Sequence, residues 1–101
     1  MPYNKFMLKQ EYTERIKKIL KKQLTKGEKV FIFCSSVSSE RFGDVDLAIV
    51  SEQAMDFSVM LKIKDDLEES TLPYKFDVVE INQTNDPFRT HVMKGEKIWI
   101  I

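Results

Sequence analysis

Cysteine is all but missing from this 101-residue chain: Cys34 stands alone, so no internal disulfide can form. It sits in an apolar run where small buried residues are common, which favours a packed thiol over a reactive one. Long hydrophobic runs are missing too. No stretch approaches the length that crosses a bilayer, and the start, Met1-Pro2-Tyr3-Asn4-Lys5, lacks the apolar core of a signal peptide. No membrane association is expected, and the expected compartment is the cytoplasm. No repeat, low-complexity tract or linker interrupts the chain, so the expectation is one domain over residues 1–101. Net charge is absent as well, since 16 Lys/Arg balance 16 Asp/Glu, and this weakens any nucleic-acid reading. The charge is unevenly spread, with nine Lys/Arg against three Glu in residues 1–29 and an acidic excess thereafter. A basic helix face exposed to solvent is the simplest account of that asymmetry.

What is present is an ordinary globular balance, 43% hydrophobic and 32% charged, enough for a small core. Tyr12, Ile16, Ile19, Leu20 and Leu24 recur at helical spacing, which predicts an amphipathic helix over residues 9–25 with Gly27 as its C-terminal cap. Residues 29–34 then read as a strand, 35–43 as a serine-rich loop and 44–51 as a second strand. Phe57, Met60, Ile63 and Leu67 mark a helix over 56–69, and Pro73 ends that segment. A third strand is expected over 74–81, a short helix over 87–93 and a last strand over 97–101. The order strand, helix, strand implies a crossover, which makes strands two and three parallel neighbours. The sum is an α/β (α+β) domain in which a small mixed sheet of about four strands packs against two or three helices.

Three acids break the apolar pattern. In Gly43-Asp44-Val45-Asp46-Leu47-Ala48-Ile49-Val50, Asp44 and Asp46 stand at the mouth of a buried strand, and period two puts them on one face. Carboxylates so close repel one another unless a cation intervenes. Hard oxygen donors suit magnesium or manganese, whose remaining ligands come from substrate phosphates and water, and this points to phosphate chemistry. Asp77 interrupts the third strand between Phe76 and Val78. If strands two and three are neighbours, it joins the other two; pairing with Lys75 or an exposed strand face is the plainer alternative. His91 and Trp99, each the only one of its kind, read as structural or exposed and stay outside this site.

Taken in order, Phe33-Cys34-Ser35, Asp44-Val45-Asp46-Leu47 and Phe76-Asp77-Val78 resemble the three-part signature of the minimal nucleotidyltransferases of the DNA polymerase beta superfamily, small domains commonly paired with HEPN proteins. The helix after Asp-x-Asp, the approach Leu72-Pro73-Tyr74 and the ending Gly95-Glu96-Lys97-Ile98 are also similar, so the likeness spans nearly the whole chain. It implies the nucleotidyltransferase fold. It also implies that Asp44 and Asp46 hold two magnesium or manganese ions, that Asp77 completes the ion activating the attacking hydroxyl, and that Ser35 contacts the nucleotide's phosphates.

Two departures from the pattern bear on activity. Cys34 stands where the family has glycine, and a Cβ there crowds a phosphate. Only eight residues separate Ser35 from Asp44, and Ser36 replaces the usual arginine; Arg41 either serves a phosphate from the loop in its place or simply faces solvent. Two readings therefore stand. In one, the chain is a nucleotidyltransferase moving a nucleoside monophosphate, AMP from ATP or its equivalent from another nucleoside triphosphate, onto a hydroxyl. The resemblance suggests a tyrosine of a HEPN toxin as acceptor, making the chain an antitoxin. In the other, the same fold has lost catalysis and neutralises or scaffolds a helical partner by binding. A homodimer or a partner complex would cover the remaining apolar surface of so small a domain.

Overall fold

The computed structural model describes residues 10–33 and 44–101. In chain order the elements are α1 (Gln10–Gln23), β1 (Lys29–Phe33), β2 (Asp44–Val50), α2 (Phe57–Glu69), β3 (Lys75–Glu80), a single 3-10 turn (Ile81–Gln83), α3 (Asp86–Lys94) and β4 (Lys97–Trp99). The strands form one sheet in the order β3-β2-β1-β4. β1 runs antiparallel to both β2 and β4, while β2 and β3 are parallel. The crossover through α2 is what permits that parallel pair, since a tight turn cannot join strands that point the same way.

Strand alternation divides the sheet into two unlike faces. On one, Val30, Ile32, Val45, Leu47, Ile49 and Val78 meet Ile16 and Leu20 of α1 and Ile63 and Leu67 of α2, forming the main core. The periodicities that marked the two helices are therefore their buried stripes. On the other face, Phe31, Phe33 and Ala48 pack with Ile81 and with Val92 and Phe88 of α3. This second layer is a small aromatic cluster, in which Phe31 lies edge-on to Phe33 at 6.0 Å and Phe33 edge-on to Phe88 at 6.3 Å between centroids.

Several boundaries differ from expectation for visible reasons. Helix α1 stops at Gln23, and Gly27 is not its cap; at φ +78 it serves the turn into β1, where a side chain would be strained. Asp56 is extended and precedes α2, which begins at Phe57. Strand β3 yields to the 3-10 turn at Ile81. Helix α3 is longer than expected because Asn85 caps it, its side chain accepting from the Phe88 N–H at 2.9 Å. Strand β4 ends at Trp99, since the N–H groups of Ile100 and Ile101 both turn onto the Val30 carbonyl, at 2.9 and 3.3 Å, and the regular ladder stops.

The link from β2 to α2 is pinned by a buried acid. Glu80 Oε2 accepts from Ser51 Oγ and from the Met55 N–H, both at 3.2 Å, and Asn82 donates to the Ser51 carbonyl. This clasp ties the end of β2 to the end of β3, and so supports their register. Among the described residues no helix is long and apolar enough to cross a membrane.

Replacing Ile63, fully buried between α2 and the sheet, with alanine should lower stability by about 2–5 kcal/mol, measured as a fall in the urea midpoint at unchanged slope.

Candidate active site

Residue pairing across the sheet builds the site. Asp46 on β2 lies level with Asp77 on β3, and Phe33 on β1 lies level with Asp46 on its other side. Lys97 on β4 is level with Phe33 in turn. One row thus reads Asp77, Asp46, Phe33, Lys97 across four strands, and residues in one row point to one face. That face is the one carrying Ala48, Val50, Val79 and the aromatic cluster, opposite the crossover helix. Neighbouring strands lie about 4.8 Å apart, so the two acids can share a cation. Asp77 is exposed and Asp46 half-buried, so the row is open at its acidic end.

The next row on this same face, two residues toward the strand starts, pairs Asp44 with Lys75. Position 44 is two residues from Asp46 along β2, hence on the same face by register, and Lys75 is likewise two residues from Asp77 along β3. The alternative in which Lys75 neutralises Asp77 is not realised, as the two form no ion pair among the described residues. Asp46 does have partners within the fold. Among the described residues no group of three potential metal ligands is assembled; Asp46 and Asp77 are the two whose side chains are described. Cys34, Ser35, Ser36 and Arg41 lie outside the described residues.

Lys97, which the sequence marked only as part of a strand, enters the row through β4. Its Nζ donates to the Met93 carbonyl at 2.5 Å, at the end of α3 where helix carbonyls lack internal partners, and sits 5.9 Å from the Phe31 ring centre. Only the pairing of β4 with β1 brings it here, so no local pattern could have revealed it. His91 is exposed on α3 and stays out of the row, as expected. Trp99 is half exposed and leans on Phe31 with centroids 4.8 Å apart, also outside the row. A shallow cavity of about 220 Å³ lies at the other end of the sheet, lined by Gln23, Lys26, Glu28, Ser51, Glu52 and Asp56 among others. Its buried acid already has a partner, since Glu28 accepts the Lys26 N–H at 2.8 Å.

Comparison with known proteins identifies the family. The family model "Polymerase beta, Nucleotidyltransferase" matches residues 14–100, and the chain belongs to that family. It is 34% identical over 89 residues to a Haemophilus influenzae protein named "Probable protein adenylyltransferase MntA", a match covering 86% of this chain and 77% of that one. Its fold is similar to a chain in the tri-AMPylated Shewanella oneidensis HEPN toxin in complex with MNT antitoxin, with a TM-score of 0.71 and 18% identity over 91% of this chain and 71% of that one. A toxin-antitoxin structure with AMP-PNP also contains a similar chain, with a TM-score of 0.70 and 18% identity over 88% of this chain and 72% of that one. The expected α+β architecture, a mixed four-stranded sheet with three helices, is the one observed.

Phe33 separates the acids from Lys97 and supports Phe88. Phe33→Ala should cost about 3–5 kcal/mol in a denaturant titration, and Phe33→Leu much less, because leucine refills most of the space.

Proposed function

We propose that this chain transfers a nucleoside monophosphate, AMP from ATP, onto a hydroxyl of a protein partner, and that the partner is a HEPN toxin neutralised by the modification. The observation that carries this reading is the level pairing of Asp46 with Asp77 on one open face, with Asp44 one row away. The adenylyltransferase name of the 34% identical relative and the HEPN and AMP-PNP complexes among structural neighbours support the substrate and partner classes.

The donor set fits a divalent ion: two carboxylates on adjacent strands, with a third acid position beside them, are hard oxygen ligands of the kind magnesium or manganese prefers. Asp44, Asp46 and Asp77 would hold it, and its chemistry would be to neutralise phosphate charge and lower the pKa of the attacking hydroxyl. The protein's own task is placement. The acceptor oxygen forms a bond to the α-phosphorus, the bond from that phosphorus to the bridging oxygen of the β-phosphate breaks, and pyrophosphate leaves with that electron pair. The hydroxyl proton passes to solvent or to a nearby base. Little covalent work is asked of the side chains, so fixing reactants on stiff strands and meeting their charge supplies the acceleration. Ser35, Ser36 and Arg41, which lie between β1 and β2 in the sequence, are proposed to contact the triphosphate.

The test is to incubate the chain with magnesium, ATP radiolabelled on its α-phosphate, and the HEPN protein. Label should move to the partner, and Asp46→Asn or Asp77→Asn should each reduce transfer by more than about 100-fold, with chelation by EDTA abolishing it. Tight partner binding without label transfer, unaffected by Asp46→Asn, would instead support the non-catalytic binding reading.

A further inference from the structure

We infer that Lys75 is a phosphate-binding residue of this site, meeting the charge on the nucleotide that the acids and their ions leave uncompensated; the inference rests on the nucleotidyltransferase reading above. Lys75 opens β3, one strand across from Asp44 and two residues before Asp77. Two strand residues span about 6.7 Å, and β3 places positions 75 and 77 on the same face, so a lysine stem reaches readily over the carboxylate pair. The side chain is exposed and makes no hydrogen bond or ion pair with another described residue.

Two other described cations on this side of the sheet are less available. Arg89 is tied to Asp86 at 3.1 Å and donates to the carbonyls of Ile81 and Thr84 at 3.3 and 2.9 Å. Lys97 is in the acid row, but its Nζ is held by the Met93 carbonyl and its strand lies two strands, about 10 Å, from Asp46. A bound triphosphate brings several negative charges to a site already containing carboxylates, and a flexible ammonium at its open side is the group suited to a point contact with a phosphate oxygen.

A lysine on an edge strand has a plainer use, to discourage pairing with another sheet. That use would not distinguish ATP from adenosine, which lacks phosphate, and this difference makes the experiment decisive. Titrate the full chain calorimetrically with ATP plus magnesium and, separately, with adenosine. Lys75→Met should weaken ATP binding about tenfold or more while leaving adenosine binding within twofold, and Lys75→Arg should restore most of the loss. Added salt should narrow the gap between wild type and Lys75→Met for ATP. ATP binding that Asp46→Asn disrupts but Lys75→Met leaves within twofold overturns the assignment of Lys75 alone. No binding of ATP with magnesium by the wild-type chain overturns the nucleotidyltransferase reading and this inference together.

Discussion

The parallel pairing of β2 with β3 is the constraint on which the site depends. It sets Asp46 level with Asp77 and brings Asp44 and Lys75 together in the next row. A slip of one residue would turn the acids of one strand toward the helical core, so the register has to be firmly held. Two features hold it. Ile63 and Leu67 of the crossover helix are buried against the sheet, and Glu80 clasps the far end of the pair through Ser51 and Met55. The acidic end and the clasp thus occupy opposite ends of the same two strands.

From this follows the division of labour between the faces. The crossover helix and α1 cover one face completely enough to make the core, while the much shorter α3 covers the other through a handful of aromatic contacts. The uncovered portion is where the acids sit. Strands are a stiff mounting for such groups, since each side chain's direction is fixed by pleat and ladder rather than by a loop. Among the described residues β3 is an edge strand, which leaves Asp77 accessible from that side.

The charge on the site is also arranged by the sheet. Asp77 and Asp46 lie at one end of a row and Lys97 at the other, with Phe33 between them, so Lys97 stands apart from the two acids. Lys97 is occupied by the helix end above it, and Lys75 is left facing solvent near the acids. A nucleotide with its own charge would find both acidic and basic groups within one short stretch of sheet.

Much of this was readable in the residues. The alternation through Asp44 to Val50, the helical spacing of Phe57, Met60, Ile63 and Leu67, and the lone acid in an apolar third strand define the crossover unit by local periodicity, and periodicity is a property of the chain itself. The limits of elements were harder to read. Gly27 looked like a helix cap and proved to serve a turn, while β4 closed early because two N–H groups converge on one carbonyl. Sequence by itself determined that three helices and four strands would form and which residues carry the acids, because side-chain period and turn chemistry act over a few neighbours. Only the tertiary structure decided that Asp46 stands level with Asp77, that Lys97 shares their row and that Lys75 lies beside Asp44, because these are matters of strand order and register between segments tens of residues apart.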